Sequence, residues 1–292
     1  MITPVEARSR KGHRDENFPV ASRLIDPRHR APILAFYEFV RTADDIADHS
    51  SLDPQKKLAL LDRLEAGLLG DSDADPVALA LRSQLALRQL SPRHAQDLLT
   101  AFRMDLTKLR YRDWEDLIGY CTYSAMPVGR FVLDVHGESH ATWPFNDALC
   151  AALQIINHLQ DCGTDYRKLD RVYIPLDAFA AGGAHVEMLR ADRAPAPLLA
   201  CIRALAERTG QLLSESWPFS SHIEDARLAL EVSVIQALAE RLIGLLRSRD
   251  PLSQRVHLGT AGVAGFGLLG LISGVTRRIG RVFAAGHEPQ DA

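Results

Sequence analysis

The sequence predicts an all-α protein, and three observations support this. Alanine, leucine and arginine dominate the chain, runs of β-branched residues are short, and apolar residues recur at roughly the 3.6-residue helical period in most long segments. The first turn of a helix tolerates proline, and the prolines that stand where helices are predicted to begin include Pro32, Pro54, Pro76, Pro92 and Pro195.

The chain can be divided into helices in order, with short connections between them. The predicted helices span 32–49, 54–67, 76–89, 92–109, 114–136 with a kink at Pro127, 146–169, 195–217, 223–249 and 258–283. The stretch 70–75 and the alanine- and glycine-rich run 178–184 predict loops, and neither is long enough to be a domain linker. We therefore expect one domain over residues 1–292.

Composition narrows the range of functions. The 292 residues are ample for a core with an internal cavity, and the formal net charge of -3 without a strongly basic run argues against a nucleic-acid partner. Four cysteines are scattered without metal-ligand spacing, which is typical of reduced, mostly buried thiols. The first twenty residues lack an apolar segment of signal-peptide length, so we expect a cytoplasmic location.

The segment 256–276 contains no charged residue and is rich in glycine. Its length would suffice to cross a bilayer, and Arg277, Arg278 and Arg281 follow it. Three interpretations remain open at this point: a buried helix that caps the bundle, a helix lying on anionic lipid at the inner face of the membrane, or a membrane span. The GxGxxG pattern at 265–270 does not indicate a nucleotide site, because no strand precedes it.

Two acidic clusters lie far apart in the sequence, each on a predicted helix. The first contains Asp44, Asp45 and Asp48, and its stripe continues back through Arg41 and Tyr37 at helical spacing. Such a stripe is polar where a buried helix face would be apolar. Taken alone, it is also compatible with an ordinary solvated face.

The second cluster has the same design. Asp161 and Asp165 continue a stripe that begins with Gln154 and Asn157, and Arg171 and Tyr173 follow shortly after it. Carboxylates at this spacing repel one another, so a counter-charge is required. Hard oxygen ligands with little histidine nearby favour Mg2+ over zinc. Together the two stripes predict metal-assisted chemistry on a phosphate or diphosphate in a helical cavity.

Three segments give the chain a resemblance to the squalene and phytoene synthase family. They are 37–48, 120–130 (YCTYSAMPVGR) and 154–175, and their order and spacing match across nearly the whole chain. Residues 16–22 (ENFPVAS), 161–166 and 170–175 resemble more narrowly the hydroxysqualene synthases of hopanoid biosynthesis. The resemblance implies a class I isoprenoid synthase bundle of helices around a central apolar cavity, and a diphosphate-releasing enzyme.

The resemblance also implies roles for individual residues. Metal ligation is implied for Asp44, Asp45, Asp48, Asn157, Asp161 and Asp165. Catalysis is implied for Asp44, Asp48, Asp161, Asp165 and Tyr120, the last of which faces the carbocation region. Substrate contacts are implied for Arg41, Tyr37, Gln154, Asn157, Arg171, Tyr173, Asn17, Ser22, Ser124, Val128 and Gly129. The chain departs from the family pattern at Thr164, where many relatives have a second acid.

Three functions compete at this stage. The first is Mg2+-dependent conversion of presqualene diphosphate and water to hydroxysqualene and diphosphate. The second is condensation of two farnesyl diphosphates to presqualene diphosphate or squalene. The third is a non-catalytic helical scaffold, which the retention of the motif acids argues against. A product with an apolar C30 chain also makes peripheral membrane contact, and contact with other hopanoid-pathway enzymes, hypotheses to test.

Overall fold

Helices account for nearly all the regular structure of residues 25–258, which are the residues that the computed structural model describes. The α-helices in this range are α1 (Pro27–Asp48), α2 (Pro54–Leu69), α3 (Pro76–Arg88), α4 (Arg93–Met104), α5 (Trp114–Ser124), α6 (Met126–His136), α7 (Trp143–Leu169), α8 (Leu176–Ala181), α9 (Ala196–Glu215), α10 (Phe219–His222) and α11 (Ala226–Ser248). Short 3-10 helices at His140–Thr142 and Val186–Arg190 complete the described elements. The predicted all-α fold is confirmed.

Aspartate N-caps fix where several helices begin. Asp53 accepts a hydrogen bond from the backbone N–H of Lys56, and proline follows it in the first turn of α2. The carboxylate satisfies a donor that the helix itself leaves unpaired, and proline needs no such partner. The same kind of aspartate cap begins α1, α3, α5 and α11, at Asp26, Asp75, Asp113 and Asp225.

The first helix begins at Pro27, earlier than predicted, so Pro32 lies inside α1 and not in its first turn. Because proline has no N–H, it cannot bond the carbonyl of Arg28 one turn back. The guanidinium of Arg88 on α3 donates a hydrogen bond to that carbonyl. A neighbouring helix thus satisfies the group that Pro32 leaves open.

Three other predicted boundaries were wrong. The helix predicted over 92–109 ends at Met104. The helix predicted over 114–136 is two helices, because the backbone breaks at Ala125 and Pro127 lies in the first turn of α6. The loop predicted over 178–184 contains the end of α8. The loop predicted over 70–75 is confirmed.

The segment after α4 pairs with the segment after α7. An isolated parallel bridge joins Arg110 to Val172, and the N–H of Val172 donates to the carbonyl of Leu109 at 3.0 Å. A few residues on, the N–H of Leu176 donates to the carbonyl of Tyr111 at 2.9 Å. This pairing holds the end of α4 beside the residues that follow the second acidic cluster.

The buried residues form two separate hydrophobic clusters. One is built mainly from α1, α2, α3 and α4, together with Phe131 and Val135 of α6. The other is built mainly from α5, α7, α9 and α11. A cavity is lined by residues of both clusters, including Ile33 and Phe36 from the first and Leu149 and Val232 from the second. The fold thus leaves a space where its two cores meet.

All four cysteines are free thiols, as the sequence predicted; Cys121, Cys162 and Cys201 are buried and Cys150 is half-buried. The helix predicted over 258–283, and the three interpretations of 256–276, fall almost entirely outside the described residues. Within residues 25–258, none of the helices has both the length and the apolarity that crossing a membrane requires.

Gly129 brings α6 and α7 into close contact. A Cβ atom at this position would lie 1.8 Å from Oδ1 of Asn146 and 2.7 Å from Sγ of Cys150, both on α7. Gly119 on α5 differs, because a Cβ there would meet nothing within 4 Å. Gly129 also lines the cavity, so the missing side chain serves helix packing and leaves room in the cavity wall.

We predict that Gly129→Ala lowers the free energy of unfolding by about 1–3 kcal/mol, because the side chains of Asn146 and Cys150 must move to admit the methyl group and Asn146 is buried and hydrogen-bonded. Gly119→Ala is the matched control and is expected to be neutral or stabilising by up to about 1 kcal/mol, since alanine is the better helix former at an open site. Urea unfolding of both variants measures the difference. Equal stability of the two variants would contradict the close approach.

Candidate active site

Arg41 binds two of the acids at the end of α1. Arg41 contacts Oδ2 of Asp44 at 3.0 Å through one guanidinium nitrogen and Oδ1 of Asp45 at 2.9 Å through another. Asp45 is buried, whereas Asp44 and Asp48 are half-buried. Asp45, grouped with the metal ligands by resemblance, lies against Arg41 on the buried side of the helix, so its metal role stays a prediction.

The acids of α7 face those of α1. Burial and the charges of Asp161 and Asp48 raise the pKa of Asp165 to about 7. Burial and the charge of Asp48 likewise raise the pKa of Asp44 to about 7, with Arg41 opposing. Asp48 therefore lies close enough to perturb carboxyl groups on both helices. The two predicted clusters converge, which the sequence could suggest only from their similarity.

Arg171 links the end of α1 to Asp105, the residue that follows α4. It is 7% exposed, and its guanidinium donates to Oδ1 of Asp48 at 2.6 Å and to the carbonyl of Ala47 at 3.3 Å. Its Nε donates to the carbonyl of Asp105 at 3.2 Å. Burial alone would lower the pKa of Arg171, but the charge of Asp48 and its neighbours raises it. The cation is thus fixed beside the acids and remains charged.

Asp105 is a site residue that the sequence analysis missed. It is buried just after α4, and it accepts hydrogen bonds from the hydroxyl groups of Tyr120 at 2.9 Å and Tyr173 at 3.2 Å. Burial raises the pKa of Asp105 to about 6, although Arg171 and the two tyrosines act against that rise. Asp105 stands alone in the sequence without a motif, so only the tertiary contact reveals it.

The two tyrosines form an aromatic floor under the acids. The ring of Tyr173 stacks on His158 with centroids 3.5 Å apart, and Tyr120 lies 5.5 Å from Tyr173. His158 also shares a hydrogen bond of 3.1 Å with Gln154. Burial and the charge of Arg171 lower the pKa of His158 to about 3, so the imidazole is neutral and acts as a packing residue.

The apolar cavity has a volume of about 310 Å³, and neither Tyr120 nor Tyr173 is among the residues that line it. Its walls come mainly from α1, α5, α6, α7 and α11. Six residues singled out from the sequence line it, namely Tyr37, Ser124, Val128, Gly129, Gln154 and Asn157. Because Tyr37 and Asn157 continue the stripes of Asp44 and Asp161 one to two turns away, the acids lie at one end of this cavity.

Two predicted contacts cannot be placed, since Asn17 and Ser22 lie outside the described residues. Thr164, where relatives often have an acid, is exposed. Replacing an acid by threonine there leaves Asp161 and Asp165 on the inner side of α7.

Among the described residues, the possible ligand atoms of His29, His136 and Asp225 lie within 4.8 Å of one another, whereas the four acids near the cavity do not form so close a group. Nε2 of His29 accepts a hydrogen bond from Nε of Arg28 at 2.9 Å, and a guanidinium nitrogen of Arg88 lies 3.5 Å from Nδ1. Guanidinium groups on both sides of the ring disfavour a cation. We therefore interpret this cluster as a polar contact between helices.

The acids at one end of the cavity, which we call the mouth, fit a divalent cation. Asp44, Asp48, Asp161 and Asp165 supply hard oxygen donors from two helices, and the raised pKa values of Asp44 and Asp165 show that the protein alone does not neutralise this set. Neighbouring charges resist the ionisation of these carboxylates. Binding a metal cation is therefore more favourable for them than remaining ionised without a counter-charge. Such chemistry is that expected for Mg2+ with diphosphate.

Known proteins share this sequence and fold. A model of the squalene/phytoene synthase family matches residues 11–261. A hydroxysqualene synthase from Rhodopseudomonas palustris is 62% identical over 258 residues, which cover 88% of each chain. The solved structure of squalene synthase HpnC from Alicyclobacillus acidocaldarius superposes with a TM-score of 0.70 at 32% identity, covering 78% of this chain and 86% of that one.

A dehydrosqualene synthase solved with a ligand has a TM-score of 0.78 at 22% identity, covering 89% of this chain and 92% of the other, which supports the fold alone. Fold and sequence agree on a class I isoprenoid synthase, a group of enzymes that generally use divalent metal. The family model covers most of the chain, and the chain belongs to the squalene/phytoene synthase family.

Proposed function

We propose that the protein converts presqualene diphosphate and water into hydroxysqualene and diphosphate, as a step of hopanoid and squalene biosynthesis. The observation that carries this proposal is the convergence of two carboxylate sets at the end of an apolar cavity. The 62% identity to a hydroxysqualene synthase supports the choice of substrate within the family. The proposal includes a cytoplasmic enzyme whose contact with the membrane is peripheral.

The mouth would bind the diphosphate. Asp44, Asp48, Asp161 and Asp165 would hold Mg2+, with Asn157 as a further oxygen ligand, and Asp45 would act by orienting Arg41. Bound Mg2+ supplies positive charge that stabilises the diphosphate as it leaves. Arg41 and Arg171 would bind its oxygens, because planar guanidinium groups match such oxyanions in pairs. Arg171 already lies against Asp48, so the cation needs little reorganisation.

The residues below the mouth would protect the substrate carbocation that remains after the diphosphate has left. Asp105 holds the hydroxyl groups of Tyr120 and Tyr173, which fixes two buried aromatic rings beside the acids, although neither ring lines the cavity. The negative face of an aromatic ring attracts a cation without forming a bond to it. The apolar walls around Val128 and Leu149 exclude bulk water, which would otherwise capture the cation before it rearranges.

The substrate assignment is tested by product analysis. Purified protein is incubated with Mg2+ and either presqualene diphosphate or farnesyl diphosphate, without NADPH, and the products are identified by mass spectrometry. We expect hydroxysqualene from presqualene diphosphate and no turnover of farnesyl diphosphate. Turnover of farnesyl diphosphate would instead support head-to-head condensation, and inactivity with both substrates would contradict the proposal.

The metal site is tested by removing one charge from it. We expect Asp161→Asn to lower kcat by at least about 100-fold, because the variant loses an interaction that stabilises charge in the transition state. Asp192→Asn is the matched control, since Asp192 is exposed on the loop before α9 and should leave turnover unchanged. Circular dichroism checks that both variants keep their helices. Near-normal turnover by Asp161→Asn would rule out the metal role of Asp161.

Metal binding is also measurable without turnover. We expect Mg2+ together with inorganic diphosphate to raise the thermal midpoint of the wild type relative to EDTA, because a ligand at about 100 times its Kd stabilises the folded state by about 2.7 kcal/mol. The stabilisation should be largely lost in Asp161→Asn and kept in Asp192→Asn. The same thermal shift in all three proteins would place the bound metal elsewhere.

A further inference from the structure

A carboxyl group lies in the wall of the apolar cavity, away from the acids of the mouth. Glu231 is on α11 and is 3% exposed. It shares one helical face with Leu228, Val232 and Ile235, and all four line the cavity. Of the described residues around this cavity, Glu231 alone carries a carboxyl, ammonium or guanidinium group.

This position breaks the pattern of its helix. Residues at i, i+3, i+4 and i+7 form the buried stripe of an amphipathic helix, and three of the four are aliphatic here. Placing a carboxyl group among apolar side chains costs several kcal/mol of desolvation. Natural proteins depart from local consistency in this way chiefly at functional sites. The carboxyl group of Glu231 therefore calls for a function in the cavity.

The hydroxyl group of Ser124 lines the same cavity and can form a hydrogen bond there. Oγ of Ser124, at the end of α5, is buried and has no hydrogen-bond partner among the described residues. Ser124 lies one helical turn beyond Tyr120, whose hydroxyl is bound to Asp105 beneath the mouth. The hydroxyl of Ser124 thus lies in the wall of the same cavity that Glu231 lines.

The N-terminus of α11 shows how far Glu231 lies from the acids of the mouth. Asp225, the N-cap of α11, lies 3.9 Å from the guanidinium of Arg28 in the first turn of α1, whereas Asp44 and Asp48 occupy the last two turns of that helix. Glu231 is six residues along α11, or about 9 Å from the level of Asp225. It therefore lies in the body of the cavity and not among the acids of the mouth.

We propose that Glu231 and Ser124 hold the water molecule that captures the carbocation, and that the carboxylate of Glu231 accepts its proton. This inference rests on the proposed function. The water oxygen forms a bond to the cationic carbon, one O–H bond of the water breaks, and the proton passes to Glu231. Charge balances without any oxidant or reductant, and Glu231 returns the proton to solvent after the alcohol leaves.

Such a site resolves a conflict within the reaction. The cavity must exclude water while the skeleton rearranges, yet one water must then react. A single molecule bound to two polar groups in an apolar wall meets both needs, because its position decides which carbon it can reach. The acids of the mouth do not serve as this base in the proposed function, since they bind metal.

The test compares products, using the full chain with Mg2+ and presqualene diphosphate. Glu231→Gln keeps the size of the side chain and removes its basicity, and Ser124→Ala removes the hydroxyl. We expect each variant to lower the ratio of hydroxysqualene to hydrocarbon products, by at least about tenfold for Glu231→Gln, since a positioned base typically contributes more than that. Release of diphosphate should slow less than this ratio falls.

Glu240→Gln is the matched control, because Glu240 is an exposed carboxylate on the same helix and its loss should leave the product ratio unchanged. An unchanged ratio in Glu231→Gln, whether or not the rate falls, would overturn the inference. Should Glu231→Gln fail to fold, Ser124→Ala decides by the same ratio. A wild type that forms no hydroxysqualene contradicts the proposed function itself, which separates that failure from failure of this inference.

Discussion

The chemistry of the site depends on the mutual repulsion of carboxylates that the fold brings together, because that repulsion requires a counter-charge. Asp44 and Asp48 from α1 approach Asp165 from α7, and burial together with these charges raises the pKa of Asp44 and Asp165 to about 7. A stable fold would avoid such a cluster unless a ligand compensated it. Arg171 offsets part of the charge through Asp48, and the remainder is available to a cation that also binds diphosphate.

The arrangement of the two hydrophobic cores explains how that cluster is supported. Each acidic helix packs into a different core, α1 into one and α7 into the other, so neither helix depends on direct contact with the other. The space between the cores becomes the cavity, and the facing stripes of α1 and α7 become its mouth. Close packing at Gly129 fixes α6 against α7 and so defines one wall.

Much of the fold followed from the sequence, because helical periodicity and N-terminal prolines are local signals. Two of the errors occurred where a distant contact decided the outcome. Helix α1 tolerates Pro32 because Arg88 satisfies the freed carbonyl, and α4 ends early because the following segment pairs with residues near Val172. No pattern within a window of the sequence contains either partner.

The residues of the site likewise include some that the sequence predicted and some that only the structure reveals. The two acidic stripes were visible from spacing, and the structure brings them together. Asp105 was not visible, since it is a single acid whose importance comes from two tyrosines and an arginine that are distant in sequence. Glu231 was overlooked for a different reason, because an acid in an amphipathic helix usually lies on the solvent-exposed face. Its burial is a property of how α11 packs.

The vertical order of polar groups in the cavity suggests how one protein separates two incompatible needs. In the proposed mechanism, ionisation requires concentrated charge, which the last two turns of α1 and the facing part of α7 supply. Rearrangement in that mechanism requires a mostly apolar surface, which the aliphatic residues of the cavity wall supply. In the proposed mechanism, capture then requires one polar position, and the wall contains only Glu231 as a charged candidate among the described residues. The distance between the mouth and that position keeps the base away from the metal-binding acids, so each carboxylate keeps a separate role.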